Sequence, residues 1–320
     1  MSTPSAIYVR LPNWLGDVCM SLPSLQALID SGIPTVVCAK PWAKELLLGL
    51  NIAGFIPLTG KWWPDSQTIK SYRRTHRHQQ AAGVLLPDSL SSALCFRLAG
   101  LPSVGYKDDG RSVLLRWPLS KPLHKLHAVQ SWYYIVQQAL QRWSFPTPRE
   151  QPLKQLGLQL SEAQRQAGDL ALAQANLEAG RYILIAPTAI GLHKGRVKVW
   201  PYFNELCIAL QARGYTVCMC PPPAERQAAL NTVPHALCLP SLPLGAFARL
   251  CQQAAWVVCN DSGVSHVAAA IQAQQLTLCG VTNPEDTGPW SERALCLGRD
   301  GQWPSLEQVL STLEPSLSSL

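Results

Sequence analysis

The fold is decided by the stretch WVVCNDSGVSHVAAAI, residues 256–271, which indicates a buried strand running directly into a helix. Its first four residues form a short apolar run, as expected for a strand covered on both faces. In the polar turn that follows, Asp261 and Ser262 are good N-cap residues, and Gly263 lets the backbone approach a bound group. The unpaired amides of such a helix start suit an anion such as phosphate, although an ordinary capped strand–turn–helix unit has the same pattern.

The composition is typical of a folded protein with large cores. A chain of 320 residues is long enough for two domains, at roughly 150 residues each. Hydrophobic residues make up 47% and charged residues 15%, which argues against global disorder. The formal charge of +7 favours anionic partners such as phosphates, nucleic acid or an acidic membrane surface, although many soluble proteins carry such a charge without one.

The cysteines and the N-terminus both point to the cytoplasm. Eleven cysteines are scattered, mostly within apolar runs, and none forms a CxxC pair, which indicates buried reduced thiols. The N-terminus lacks the basic start and the apolar core of a signal peptide. The longest apolar stretch, residues 46–57, contains two glycines and an asparagine and is too short to span a bilayer.

Strands, turns and helices alternate in both halves of the chain, which predicts an α/β fold of parallel, doubly wound sheets. Strands are expected at residues 6–11, 35–39, 51–58, 82–86, 103–106, 182–186, 215–220, 236–239, 256–259 and 276–280. A helix is expected from Val18 to Ile29 despite Pro23, and a polar loop is expected over residues 187–198.

Three loops that follow predicted strands carry residues suited to chemistry. Ligands in doubly wound sheets sit at the carboxyl ends of the strands, where residues 13–17, 187–201 and 260–266 are expected to lie. We therefore predict two similar α/β halves that face a cleft.

A polar, basic stretch, KWWPDSQTIKSYRRTHRHQQ at residues 61–80, interrupts the first half. Its cations are interleaved with Trp62, Trp63 and Tyr72, which suits a surface for a phosphorylated or acidic acceptor. A solvated helix face is at least an equally good interpretation. Nucleic acid has thin support, because the patch is not accompanied by a nucleic-acid-binding motif.

Several motifs resemble those of glycosyltransferase family 9, the bacterial heptosyltransferases that build the inner core of lipopolysaccharide. The signature stretches are RLPNWLGDVCMSLPSLQAL (10–28), KVWP (198–201) and NDSGVSHVAAA (260–270). Those that resemble the heptosyltransferase II branch are LPDSLSSAL (86–94), GYKDDGR (105–111) and HAVQSWYY (127–134). The resemblance runs from about residue 8 to residue 289, with the motifs in the family's order.

The resemblance implies a GT-B fold, in which two Rossmann-like domains face a cleft. Residues 1–160 would form the N-terminal, acceptor-binding domain, and residues 161–320 the C-terminal, nucleotide-sugar-binding domain. In this division, packing of the last helix back on the N-terminal domain stays an open alternative.

The reaction implied is an inverting transfer of heptose from ADP-heptose to the inner core of lipopolysaccharide. The acceptor is a Kdo/heptose–lipid A, and the sequence leaves open whether it already bears a first heptose. A hydroxyl of the acceptor attacks the anomeric carbon while the diphosphate leaves from the opposite face. The implied partners are a nucleotide sugar and a lipid-anchored acceptor, without nucleic acid, metal or cofactor. The protein would be cytoplasmic and open to peripheral contact with the inner face of the inner membrane.

Asp17, in the LGD turn, matches the catalytic carboxylate of the family and is the predicted general base. Judged from the residues alone, an aspartate at this position more often caps the helix expected to begin at Val18.

Lys198, in KVWP, matches the family lysine that faces the donor phosphates, and Thr188 occupies the loop where the family also contacts phosphate. The sequence departs from the family here, because PTA replaces a glycine-containing stretch and the loop is a few residues longer. His193, Lys194 and Arg196 therefore add cations, which also suit a solvated loop. Either Lys194 or Lys198 could hold the phosphate, and the register of KVWP favours Lys198.

The remaining site residues also follow from the resemblance. Asp261 matches the residue that hydrogen-bonds the sugar, and Ser262 and Gly263 would offer amides to the diphosphate. His266 matches a family histidine, with a packing role as the alternative. The candidates for the acceptor's carboxylates and phosphates are Arg10, Asn13, Arg73, Arg74, Arg77, Lys107 and Arg111.

Two alternatives stay open at this point. A family 9-like transferase could use another nucleotide sugar, and a non-catalytic GT-B protein could bind a nucleotide sugar without turnover. Retention of Asp17, Lys198 and Asp261 favours an enzyme. The absence of GxGxxG, GxxxxGK[ST] and GxSxG motifs counts against dinucleotide-binding, P-loop and hydrolase functions.

Overall fold

The computed structural model of the protein describes residues 3–146, 148–189, 192–193 and 195–317. The chain forms two compact units, Met1–Leu153 and Lys154–Leu320. The division falls a few residues before the predicted boundary of 160/161, because the segment after Leu153 already packs on the second unit. Leu158 donates a backbone hydrogen bond to Ala270 at 3.0 Å, and Leu156, Leu158 and Leu160 are buried.

The first unit is built on one parallel sheet. Within the described residues its strands are β1 (Ala6–Arg10), β2 (Thr35–Ala39), β3 (Gly54–Pro57), β4 (Ala81–Leu85), β5 (Ser103–Tyr106) and β6 (Trp117–Leu119). They lie in the order β3-β2-β1-β4-β5-β6, and each neighbouring pair is parallel. Strand β6 was not predicted, since it is short, lies at the edge of the sheet and contains Pro118.

The helices of the first unit cover this sheet. In the part of the chain that the structure describes, they are α1 (Leu15–Met20), α2 (Leu22–Asp30), α3 (Ala43–Leu46), α4 (Trp62–Thr75), α5 (Leu90–Leu98) and α6 (Ala128–Arg142). One core on the sheet brings together Tyr8, Cys38, Ile69 and Phe96, all fully buried.

The single helix predicted from Val18 to Ile29 is two helices. Ser21 ends α1 and begins α2, and Pro23 lies in the first turn of α2, where its missing N–H breaks no intrahelical bond. The first helix also begins at Leu15, three residues earlier than expected, which places Asp17 inside its first turn.

The second unit has a similar sheet. Over the described ranges its strands are β7 (Tyr182–Ala186), β8 (Leu192–His193), β9 (Arg196–Val197), β10 (Thr216–Met219), β11 (Leu237–Cys238), β12 (Trp256–Asn260), β13 (Gln275–Leu278) and β14 (Ala294–Leu297). The parallel sheet has the order β11-β10-β7-β12-β13-β14, while β8 and β9 form a separate antiparallel hairpin inside the stretch predicted to be a loop.

Helices cover the sheet of the second unit as well. Those described are α7 (Glu162–Gln174), α8 (Phe203–Gln211), α9 (Arg226–Thr232), α10 (Leu244–Gln253), α11 (Gly263–Ala270), α12 (Pro284–Thr287) and α13 (Leu306–Leu317). The last helix packs on this unit's own core, since Val309 and Leu313 are fully buried in a cluster with Leu206 and Leu210 of α8.

Two further features concern the whole chain. No helix among the described residues is long and apolar enough to cross a membrane. All eleven cysteines are free thiols, and eight of them are buried.

Candidate active site

The carboxyl ends of β7, β12 and β13 meet at one edge of the second sheet. Cys259 of β12 pairs with Ala186 of β7, and Asn260 pairs with Leu278 of β13. The loops that follow these strands therefore lie side by side, in the position where doubly wound sheets bind ligands. Thr188 follows β7 here and is half-buried.

Asn260 joins these loops. Its side chain is fully buried, and its amide oxygen accepts a hydrogen bond from the Trp200 backbone N–H at 2.8 Å. The amide nitrogen donates to the carbonyl oxygens of Ala186 at 3.2 Å and Thr188 at 3.5 Å. One side chain thus holds the KVWP segment and the loop after β7 against the end of β12.

Lys198 and Asp261 form the charged centre of this edge. The Lys198 Nζ atom lies 4.0 Å from an Asp261 carboxylate oxygen. The Asp261 side chain is 7% exposed and that of Lys198 is 23% exposed, so the pair is largely buried while the ammonium keeps contact with solvent. A carboxylate that can accept from hydroxyls beside a cation that can face a phosphate suits a phosphorylated sugar.

The start of α11 offers unbonded amides next to this pair. Ser262 is the N-cap residue in an extended conformation, and its side chain makes no capping hydrogen bond. Its buried Oγ atom has no hydrogen-bond partner among the described residues. Gly263 begins the helix, so this end can bind an anion through its backbone. His266 lies one turn further along and is buried.

The extra cations of the long loop are placed differently from one another. Arg196 donates to an Asp300 carboxylate oxygen at 2.6 Å. This ion pair neutralises the charge of Arg196, which is therefore less available to a ligand. His193 belongs to β8. Lys194, the alternative to Lys198, lies outside the described residues.

In the first unit, Asp17 follows the carboxyl end of β1. It lies in the first turn of α1 with its side chain half-buried, and the helix start has no side-chain capping bond. The capping role is therefore not observed. Burial raises the pKa of the Asp17 carboxyl above its ordinary value of 3.8, because it removes water from the charged form.

Arg10 and Asn13 shape the loop that precedes Asp17. The Arg10 guanidinium is buried and donates to the Leu11 carbonyl and, at 2.6 Å, to the Asn13 side-chain oxygen. Its burial lowers the pKa of Arg10. Both residues also line a small cavity of about 40 Å³, together with Trp62 of α4 and Ser92 of α5.

Lys107 and Arg111 have different surroundings although both follow β5. Arg111 is fully buried, donates to the Pro87 carbonyl at 2.9 Å and lies 3.6 Å from a carboxylate oxygen of Asp88. Burial lowers the pKa of Arg111. The guanidinium therefore holds the loop after β4, whereas Lys107 is exposed.

The predicted acceptor arginines Arg73, Arg74 and Arg77 lie at the C-terminal end of α4, away from the cavity lined by Arg10 and Asn13. Twelve residues separate Arg74 from Trp62, which is about 18 Å along a helix. Arg73 donates to the carbonyls of Ala99 and Gly100 at 2.7 and 2.8 Å and so caps the end of α5. Arg74 and Arg77 are exposed at the same end of α4.

Reasoning from sequence missed Asn260 and Thr282 as site residues. Thr282 follows β13, is 6% exposed, and its hydroxyl has no hydrogen-bond partner in the described part of the chain. A polar residue that ends or follows a fully buried strand marks both, although for Thr282 the sequence signal is weak, because β13 itself contains Gln275 and Thr277. No group of three or more His, Cys, Asp or Glu side chains that could hold a metal ion is found over the described ranges.

Two Rossmann-like domains with polar side chains at the carboxyl ends of their parallel strands define the GT-B class of fold predicted from the sequence. The family model of glycosyltransferase family 9 (heptosyltransferase) matches residues 69–315. The chain therefore belongs to glycosyltransferase family 9, the heptosyltransferases.

Individual relatives agree with this assignment. The chain is 28% identical over 316 residues to lipopolysaccharide heptosyltransferase 2 of Escherichia coli K12, covering 90% of this chain and 86% of that protein. The structure of the E. coli ADP-heptose lipopolysaccharide heptosyltransferase II superposes with a TM-score of 0.77 at 26% identity, over 98% of this chain and 99% of that one. A family 9 glycosyltransferase from Veillonella parvula, at 16% identity, shares the fold with a TM-score of 0.82 over 100% and 99% of the two chains.

Proposed function

We propose that this protein transfers heptose from ADP-heptose to the inner core of lipopolysaccharide, with inversion at the anomeric carbon. The observation that carries the proposal is the set of groups held together around Asn260, in which Lys198 lies 4.0 Å from Asp261 beside the start of α11. The relatives named for ADP-heptose and lipopolysaccharide support the choice of donor and acceptor.

Asp17 acts as the general base in this proposal. As the acceptor hydroxyl attacks the anomeric carbon, its proton passes to the Asp17 carboxylate and a new C–O bond forms. A pKa raised by burial supports this role, since it makes the carboxylate a stronger base than an exposed aspartate.

The second unit stabilises the leaving group. The bond between the anomeric carbon and the diphosphate oxygen breaks, and its electron pair stays on ADP. Lys198 and the backbone amides of Ser262 and Gly263 neutralise the added negative charge, with Thr188 and His266 beside the phosphates. These groups supply the positive charge that the reaction needs, so the proposed mechanism does not require a metal ion.

Asp261 orients the donor by accepting hydrogen bonds from sugar hydroxyls. Arg10 and Asn13 hold the loop that carries Asp17, and the small cavity that they line, together with exposed Lys107, is the proposed acceptor end. Because the acceptor is lipid-anchored, we place the reaction at the cytoplasmic face of the inner membrane.

The test is incubation of the protein with ADP-heptose and a series of truncated core acceptors, followed by mass spectrometry. We expect a gain of one heptose on at least one acceptor and release of ADP. Lys198→Ala should reduce the rate by about two to three orders of magnitude, as for removal of one group that stabilises a developing charge, and Lys194→Ala should have a smaller effect.

Failure has two distinguishable forms. If no acceptor gains a heptose and nucleotide is released from a different sugar donor, the donor is that other nucleotide sugar and not ADP-heptose. Binding of ADP-heptose without turnover of any donor would indicate a non-catalytic binding protein.

A further inference from the structure

A basic cavity lies at the C-terminal end of α4, at the amino edge of the first sheet, whereas Asp17 follows the carboxyl end of β1. Its volume is about 380 Å³, within the range of roughly 300–1,000 Å³ typical of small-molecule sites. The residues that determine its charge are Lys70, Arg73, Arg74, Arg77 and His78. No aspartate or glutamate is among the described residues that line it.

Three of these cations are uncompensated. Across the residues that the structure describes, Lys70, Arg74 and Arg77 form no ion pair with a carboxylate. Arg73 is occupied by the carbonyls of Ala99 and Gly100. Bringing like charges to one cavity costs free energy, and a bound anion would recover that cost.

The backbone also holds one of the arginines in an unusual conformation. Arg77 has φ of +54°, in the left-handed region that favours glycine. Backbone hydrogen bonds on both sides of it, from Arg77 to Arg74 and from His78 to Arg73, keep the turn in place. The chain thus carries a guanidinium at a position where glycine would be less strained.

The neighbouring histidine is arranged to stay neutral. His78 Nδ1 lies 2.8 Å from the Tyr8 hydroxyl, and burial, His76 and Arg73 lower the pKa of His78. The charge of the cavity therefore comes from its arginines and lysine. Guanidinium groups match the geometry of phosphate oxygens, which they bind in pairs of parallel hydrogen bonds.

We propose that this cavity is a binding site for a phosphate-bearing anion, separate from the site of sugar transfer. Arg74, Arg77 and Lys70 hold the phosphate, and Arg73 shapes the wall. A phospholipid headgroup and a soluble organic phosphate present the same chemistry, and the experiment below separates them.

The experiment compares the full-length protein with the double variant Arg74→Ala/Arg77→Gly. Cosedimentation with vesicles of phosphatidylcholine and phosphatidylglycerol, against vesicles of phosphatidylcholine alone, tests a headgroup. Titration calorimetry with glycerol 3-phosphate tests a soluble phosphate. The matched control, Arg116→Ala/Arg142→Ala, removes the same charge from exposed positions of the first unit outside the cavity, and Arg142 also lies in the last turn of a helix.

We expect the wild-type protein to bind at least one of the two probes, with at least tenfold weaker binding by the cavity variant and little change in the control. The thermal unfolding midpoint of the cavity variant should not fall, because glycine suits the backbone at residue 77. Equal weakening in both double variants, or no binding of either probe by the wild type, would overturn the proposal. Because the readout is binding in the absence of a sugar donor, it is independent of heptose transfer.

Discussion

The Asp17 carboxylate combines burial with a lack of partners. In the described part of the chain no side chain donates a hydrogen bond to it or forms an ion pair with it, and burial raises its pKa. The ionised form is therefore destabilised in the folded protein. Such a group retains its affinity for a proton, which is what a general base requires.

The pH dependence of turnover follows from this raised pKa. With a base that must be ionised, kcat should fall as pH decreases through the pKa of Asp17, and the midpoint of this acid limb should lie above 3.8. Asp17→Asn should lower kcat by about 10²–10⁴-fold and leave the Kd for ADP within a small factor of the wild-type value. Initial rates over a pH series and calorimetry with ADP provide the measurements.

Thermal unfolding at pH 7 separates lost chemistry from lost folding. Because the folded-state pKa is raised, ionisation of Asp17 destabilises the protein above that pKa. The penalty shrinks as pH falls through that pKa and is gone only below the ordinary value of 3.8 that holds in the unfolded chain. Asp17→Asn should therefore unfold at the same or a higher temperature at pH 7. A variant that keeps the wild-type rate and acid limb would exclude Asp17 as the base.

At the scale of elements, Asn260 links three segments that are far apart in the chain. Asn260→Ala leaves the buried Trp200 N–H without its acceptor, which costs about 1–3 kcal/mol of unfolding free energy. Because Lys198 lies two residues before Trp200, we also expect the Kd for ADP to rise at least about tenfold, equivalent to 1.4 kcal/mol. Urea unfolding and calorimetry measure the two effects.

The exposed Asn231 of α9 supplies a control for the hydrogen bonds of Asn260. Asn231 accepts a hydrogen bond from Gln227 of the same helix at 2.9 Å at an exposed position, so Asn231→Ala should change the free energy of unfolding by less than about 0.5 kcal/mol and leave the Kd for ADP unchanged. If Asn260→Ala lowers stability while the Kd for ADP keeps its wild-type value, the hydrogen bonds of Asn260 stabilise the fold and do not contribute to ADP binding.

The end of α5 depends on one side chain of α4. Arg73→Ala removes two hydrogen bonds from a charged donor to the carbonyls of Ala99 and Gly100, and should lower the free energy of unfolding by about 1.5–3 kcal/mol. Arg74→Ala, which removes an exposed neighbour, should change it by less than about 0.5 kcal/mol. Equal values from urea unfolding of the two variants would contradict the capping role of Arg73.

At the scale of the whole molecule, the two units have separate sheets and separate cores. Proposed donor binding involves groups of the second unit only. Hydrogen–deuterium exchange with and without ADP should therefore show protection at residues 195–201 and 260–266, with little change in β1 and β4. Protection centred on residues 10–17 would contradict this division of roles.

Much of the fold was predictable because its signals are local. Mostly apolar five-residue runs such as 35–39 and 182–186 identify buried parallel strands, since strands covered on both faces are nearly continuous in apolar residues. Four of the described strands escaped prediction: β6 and β14 are short edge strands with partly exposed residues, and β8 and β9 are two-residue strands in a polar stretch, so the pattern of each is weak. The helix break at Ser21 escaped as well, because apolar spacing continues across it.

The predicted site residues also differ in how well the sequence located them. The resemblance to family 9 singled out Asp17, Lys198 and Asp261 as predicted site residues. In the structure Asp17 follows the carboxyl end of β1, and Lys198 and Asp261 lie together at the carboxyl edge of the second sheet. The basic residues of α4 had no such guide. A run of cations in sequence does not reveal which guanidinium caps a neighbouring helix, as Arg73 does, and which stay open to an anion, as Arg74 and Arg77 do.

The amino-acid sequence by itself determined the α/β class, the order of the strands in the chain and the loops that carry polar groups, because periodicity and turn residues act over a few positions. Only the tertiary structure decided which of those polar groups are committed to the protein. Arg111 and Asn260 are bonded to residues that are distant in the chain, and packing sets such distances. The same packing leaves Asp17 half-buried, with no side-chain partner among the described residues, and its raised pKa is a property of that position.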